Sequence, residues 1–255
     1  MILLTSLSLM AVSIVGTGVN TTVRAQGDDT TAKPLPMFLL TIQGTLAPKT
    51  LAEAFAIHNK TAGDPNSVAA ARALGDLSHM VYLPMEKAAD GAGDVLFIDQ
   101  WSSIDGLNKF FANPDVQKGA EMIFSKREPT VWTPAEGYHT YHFPAPYGKN
   151  DRIVAMVRGT VASRAEAMAI HNQIVESGVN SARLAGDLSH EVYFKLSAPG
   201  EAESLEFLAI DVWMDGAGMG AYYQNPEFQK AAMNLFTAPP TISVWVQTAG
   251  DWIEW

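Results

Sequence analysis

Ala73-Leu-Gly-Asp-Leu-Ser-His79 (ALGDLSH) returns as Leu184-Ala-Gly-Asp-Leu-Ser-His190 (LAGDLSH), too far along the chain for local structure to explain. The match extends both ways. Upstream, TLAEAFAIHN (50–59) faces SRAEAMAIHN (163–172); downstream, FIDQW (97–101) faces AIDVW (209–213), and FFANPDVQK (110–118) faces YYQNPEFQK (222–230). Val131-Trp132 faces Val244-Trp245, the order is colinear, and the spacing drifts by no more than two residues. An internal match of this kind is the sequence signature of a duplicated unit. It divides the chain into a first repeat over 37–143, a linker over 144–151 around PAPYGKN, and a second repeat over 152–255.

Each repeat reads as β-α-β-β-α-β. The first strand is Phe38–Gln43 or Ile153–Arg158. Thr50-x-x-Glu53 and Ser163-x-x-Glu166 are capping boxes, in which hydroxyl and carboxylate satisfy free amides at a helix start. The helix that follows carries Ala-Ile-His-Asn, and a further helical turn or two ends at Gly75 or Gly186, where glycine can adopt the left-handed conformation. The β-branched and aromatic runs Leu77–Tyr82 and Leu188–Tyr193 form the second strand, and Val95–Trp101 or Phe207–Trp213 the third. A helix broken at Asn113-Pro114 or Asn225-Pro226 comes next, because proline lacks a backbone donor and disfavours helix before it. Val131-Trp132 and Val244-Trp245 lie on the fourth strand.

Ile2–Val15 is apolar but short for a membrane span, and Val23-Arg24-Ala25 offers a small-x-small cleavage site. Residues 1–25 are therefore expected to be a secretory signal peptide, followed by a polar, disordered lead-in over 26–36. Periplasmic or secreted localisation follows from that expectation. Its removal takes away one charged residue, Arg24, and moves the formal net charge from −10 to −11. Such a surface repels nucleic acid and anionic lipid, so neither nucleic acid nor, after signal cleavage, membrane is an expected partner. Cysteine is absent, which excludes disulfides, thiolate metal sites and a cysteine nucleophile.

The βαββαβ order, the third strand ending in Trp, and the aromatic pair on the following helix resemble the dimeric α+β barrel superfamily, particularly antibiotic-biosynthesis-monooxygenase-type domains. The resemblance covers nearly all of residues 37–255. It implies an α+β fold in which two tandem ferredoxin-like domains pair their sheets into a barrel inside one chain, each with a cavity between sheet and helices. The chain would then be a monomeric pseudo-dimer, or a homodimer of such chains. In heme-degrading members a Trp on the third strand acts with an Asn on the first strand and an axial His on the following helix. Trp101 and Trp213 match that Trp, but the first strands contain no Asn, and Phe110-Phe111 and Tyr222-Tyr223 stand where the histidine belongs. No heme is expected, nor any other cofactor.

Four of the six histidines recur. His58 and His171 lie late on the first helix, on the apolar face shared with Phe55 and Met168; His79 and His190 lie on the second strand in phase with Val81 and Val192. Helix and strand could thus each direct an imidazole into one layer. Facing a cavity, these would be catalytic residues moving protons, one oriented by the other or by Asp76 or Asp187. Facing a core, they would be structural residues with local partners. A metal site built from His58, His79, Asp76 and their repeats is a third reading, although no metal is the expectation. Asp99 and Trp101, like Asp211 and Trp213, share one face of the third strand and are candidate ligand-binding residues. Arg72 and Arg183 complement the end of a helix, pair with Asp76 or Asp187, or greet an anionic substrate. His139 and His142 receive no role.

No phosphate-cradling loop, nucleotide fingerprint, zinc-protease motif or Gly-x-Ser-x-Gly elbow occurs. The expected function is binding of a small organic molecule in an apolar cavity, by a cofactor-independent monooxygenase-like or isomerase-like enzyme with histidine-mediated proton transfer. The alternative is a ligand-binding or interaction module with structural histidines.

Overall fold

The computed structural model describes residues 37–86, 93–143, 152–247 and 251–255. The expected signal peptide, lead-in and linker lie outside the described residues. No described helix is long and apolar enough to cross a membrane.

In the first half, strands β1 (Phe38–Leu46), β2 (Asp76–Pro84), β3 (Asp94–Trp101) and β4 (Phe124–Pro134) alternate with helices α1 (Leu51–Lys60), α2 (Pro65–Ala73), α3 (Ile104–Phe111) and α4 (Pro114–Ile123). A short strand, β5 (Tyr141–His142), follows. The second half holds β6 (Arg152–Thr160), α5 (Arg164–Ala185), β7 (Asp187–Lys195), β8 (Glu206–Trp213), α6 (Gly216–Tyr223), α7 (Pro226–Met233) and β9 (Thr241–Gln247). The strands run β4-β1-β3-β2-β9-β6-β8-β7, and β4 pairs with β7 to close an antiparallel eight-stranded barrel. β5 lies beyond the ring against β7. Closure joins the two outer strands of each half to those of the other.

Two seams complete the ring, β2 with β9 and β4 with β7, each through three residue pairs. Alternation along the strands sorts side chains into two layers. Leu39, Leu96, Ile98, Trp132, Val154, Leu208, Ile210 and Trp245 fill the barrel interior, where the Trp132 indole donates to the Thr41 hydroxyl at 2.8 Å. The opposite parity (Leu40, Ile42, Val81 and Phe97 in the first half) packs outward beneath the helices.

Local signals act as their chemistry dictates. Thr50 and Ser163 accept from the amides of Glu53 and Glu166 at 3.2 Å, and Asn113 and Asn225 cap α4 and α7 with proline in the first turn. Such caps contribute roughly 1 kcal/mol each. Gly75 and Gly186 sit at φ +103° and +100°. The halves differ in their first helix. Gly63-Asp64-Pro65 interrupts the first helix, Asp64 capping a new start at Pro65, whereas the corresponding stretch of α5 has no proline and continues for 22 residues.

Candidate active site

His58 leaves α1 on the face shared with Ala54, one turn earlier, and both are fully buried. His79 lies on β2 directly opposite Asp99 on β3. The three side chains form a line: His58 Nε2 faces His79 Nε2 at 3.0 Å, and His79 Nδ1 faces Asp99 Oδ1 at 2.6 Å. The second half repeats the line, with His171 Nε2 facing His190 Nε2 at 2.7 Å and His190 Nδ1 facing Asp211 Oδ1 at 2.5 Å.

The far end of each line is tied to a segment that crosses over from the other half. Asn59 donates through Nδ2 to the Asp251 carbonyl at 2.9 Å and accepts through Oδ1 from the Ile253 amide at 2.8 Å. Asn172 does the same to Gly137 and His139, at 2.9 and 2.8 Å. Those contacts orient the amide, so the atom turned to His58 Nδ1 at 3.0 Å is the acceptor Oδ1. Nδ1 of His58 therefore carries its proton, and Nε2 presents a lone pair. His79 must donate to that lone pair and also face the Asp99 carboxylate, which makes it the imidazolium of the pair.

The electrostatics agree. Burial, then the neighbouring His79, lowers the pKa of His58 to about 4, and His171 is lowered to about 4 in the same way. For His79 and His190, burial alone would lower the pKa, but the charge and hydrogen bond of Asp99 or Asp211 outweigh it and the value is raised. Each site thus holds one proton between imidazole and carboxylate and a neutral imidazole beside it.

Asp76 and Asp187 are not the partners of the histidines. A bulge between Asp76 and Ser78, repeated between Asp187 and Ser189, puts His79 and His190 opposite Asp99 and Asp211 instead. Asp76 Oδ2 accepts from the Trp255 indole at 3.0 Å, and Asp187 Oδ2 from the Tyr141 hydroxyl at 2.6 Å. Oδ1 of each is buried with no partner among the described residues. Burial, then the nearby Asp99 or Asp211 charge, raises both to about 7.

In the first half the line opens onto a cavity of about 470 Å³ between sheet and helices, lined by His79, Asp99, Asp76, Phe97, Phe110 and Trp255 among others. His58 lies behind His79 and does not line it. The corresponding space in the second half is about 80 Å³, and both His171 and His190 border it.

Several expected ligand contacts lie elsewhere. Trp101 is fully buried against Phe110 and Phe111 and does not line the cavity, whereas Trp213, equally buried, borders the small second space. Arg72 and Arg183 are exposed, away from both cavities, and Arg183 lies over Phe143 at 4.6 Å. The last turn of a helix directs them to solvent. Among the described residues no cluster of three or more His, Asp or Glu is placed to hold a metal. The facing Nε2 atoms of each pair are hydrogen-bonded to one another.

Asn59, Asn172 and the crossing segments were not singled out from sequence as site residues. Gly137-Tyr138-His139-Thr-Tyr141 and Gly250-Asp-Trp252-Ile-Glu-Trp255 share a Gly followed by two aromatics three apart, and that recurrence was the available signal.

No family model and no curated protein matches the chain. Solved structures do resemble it. A protein assigned as a monooxygenase from Lactobacillus acidophilus NCFM is similar over 84% of this chain and 95% of its own, at 14% identity and TM-score 0.55. Another so assigned, from Fusobacterium nucleatum subsp. nucleatum, is similar over 87% and 98%, at 11% identity and TM-score 0.55. An anthrone oxidase-like protein is similar over 86% and 96%, at 15% identity and TM-score 0.52. These structures belong to the dimeric α+β barrel superfamily, and the chain has the fold of that superfamily.

Proposed function

We propose that the protein is a monooxygenase-like or isomerase-like enzyme that binds a small organic molecule in the first-half cavity and exchanges a proton with it without a cofactor. The observation that carries this reading is the buried His58–His79–Asp99 line opening, at its carboxylate end, onto a 470 Å³ apolar cavity. That volume is within the range of small-molecule sites. Both nitrogens of His79 are engaged, so the ligand meets Asp99, and the imidazoles act through it. A proton arriving on the carboxylate would let His79 pass its Nε2 proton to the neutral His58. Asp76, poised near neutrality on the same wall, is suited to acid–base exchange.

The architecture is read as two tandem ferredoxin-like domains forming an intramolecular pseudo-dimer, since β1, β3 and β4 pair as β6, β8 and β9 do. Secretion to the periplasm or beyond is part of the proposal, on the apolar N-terminal stretch and the small-x-small site at Val23-Arg24-Ala25.

One observation favours a binding module without catalysis: all four imidazoles have both ring nitrogens hydrogen-bonded within the protein. The two readings separate in D₂O. Small aromatic alcohols and ketones are incubated with the protein, and oxygen uptake and exchange of ligand C–H protons are followed. The enzyme reading expects turnover that His79→Gln reduces by about 100-fold or more. Binding with neither oxygen uptake nor exchange leaves the module.

A further inference from the structure

The two halves treat the same carboxylate oxygen differently. In the second half, Oδ1 of Asp211 takes His190 and Oδ2 accepts from the phenolic hydroxyl of Tyr223. In the first half, Oδ1 of Asp99 takes His79, and Oδ2 has no hydrogen-bond donor among the described residues. Asp99 is nevertheless only 4% exposed and lines the large cavity.

The residue in the place of Tyr223 is Phe111. Its ring centroid lies 6.2 Å from Trp101, as that of Tyr223 lies 5.5 Å from Trp213. The neighbouring rings of Phe110 and Tyr222 both lie 5.5 Å from their tryptophan at a 46° tilt. Helices α3 and α6 thus present matching ring pairs, and the first half lacks the hydroxyl. Two further differences make room beside it. Val116 stands where the second half has Phe228, and the break between α1 and α2 replaces the unbroken run that brings Ile174 and Val175 to the second space.

We propose that the first-half cavity binds a hydroxylated aromatic compound whose hydroxyl donates to Oδ2 of Asp99, and that the second half is closed by Tyr223, which makes that contact from within the chain. The inference rests on the reading of this cavity as the ligand site and names its ligand class. A carboxylate is an acceptor only, so a ketone, ether or carboxylate at this point would set acceptor against acceptor. With Oδ2 lacking a donor, this buried carboxylate gains more from one than an exposed carboxylate would. Phe97, Phe110, Phe111, Phe124 and Trp255 supply the apolar, aromatic wall that the rest of such a molecule needs.

The test compares 1-naphthol with 1-methylnaphthalene, of similar shape but without a donor, by calorimetry on the full chain near neutral pH. The expected result is one naphthol site per chain, about tenfold or more tighter than for methylnaphthalene. Phe111→Tyr, which supplies the missing hydroxyl, is expected to abolish that preference without lowering the melting temperature. Equal affinity for the two probes would overturn the hydroxyl contact while leaving the cavity as the ligand site. Binding of neither probe would overturn both this inference and the reading beneath it. Two equivalent sites per chain, or an unchanged preference in a folded Phe111→Tyr variant, would also overturn it. The wild-type comparison decides even where the variant does not fold.

Discussion

The indole of Trp255 stacks on the imidazole of His79, with ring centroids 4.5 Å apart and planes 23° from parallel, and donates its N–H to Asp76 at 3.0 Å. One side chain from the crossing segment thus covers His79 and steadies the second carboxylate. That hydrogen bond opposes the upward push of burial on Asp76. Trp255→Phe keeps a stacked ring and removes the donor, so the Asp76 midpoint should move up from about 7. Carboxyl carbon NMR titration reads it directly, and an unchanged or lower midpoint would refute the assignment.

Stability should fall as pH rises above about 6.5. Asp76 and Asp187, raised to about 7, keep protons that the unfolded chain has released, so their contribution is lost as pH climbs from about 4 to 7. His58 and His171, lowered to about 4, act oppositely over nearly the same interval, because there the unfolded chain binds the protons. Above it, the raised His79 and His190 remain, and their contribution disappears as pH passes through their folded values. Melting temperatures measured from pH 6 to 9 should decline, and the decline should flatten in an Asp99→Asn, Asp211→Asn double variant. A flat wild-type profile would contradict the imidazolium assignment.

Asn59 holds His58, Asp251 and Ile253 at once. Asn59→Ala should cost about 1–2 kcal/mol, since it takes the acceptor from the buried His58 ring and two hydrogen bonds from the exposed Asp251 and Ile253. The hydrogen bond that His58 donates to Asn59 raises the His58 pKa, so the variant should also lower that value further. Hydrogen exchange at the Ile253 amide should accelerate well beyond the global loss of stability. Exchange that merely tracks global unfolding would show that the crossing segment is held by other contacts.

Gly106 and Gly218 allow each third-strand helix to abut the preceding helix end. A Cβ on Gly106 would lie 1.7 Å from the Leu74 carbonyl oxygen, and one on Gly218 1.8 Å from that of Ala185. Gly106→Ala should cost roughly 1–3 kcal/mol as the helices are forced apart. Gly119→Ala is the contrast, since its Cβ would meet nothing closer than Thr61 at 3.5 Å. There the helical preference of alanine should stabilise by up to about 1 kcal/mol. Denaturant unfolding of the two variants distinguishes the positions.

Much of the strand and helix order was legible because the chain states it twice: strand ends fell within a few residues, and Thr50, Ser163, Gly75 and Gly186 acted as their chemistry suggested. The approach of His58 to His79 followed from helical and strand parity. Their carboxylate partner did not, because register between β2 and β3 depends on a bulge with no sequence mark, and that bulge selects Asp99 over Asp76. The crossing segments escaped notice because Tyr138 and Trp252 differ in identity and act on residues far away in sequence. The inequality of the cavities rests on small changes, Phe111 for Tyr223 and Val116 for Phe228, which the repeat pattern treats as equivalent.

The reciprocal crossing also sets an order of assembly during synthesis. The segment that covers the second-half site, residues 135–143, is made before that site exists and can be waiting when β7 and β8 arrive. The first-half site waits for residues 251–255, whose contacts with Asn59 span 192 and 194 positions. Its aromatic cavity therefore stands without Trp252 and Trp255 throughout translation of the second half, an interval in which exposed apolar surface invites chaperone binding or aggregation.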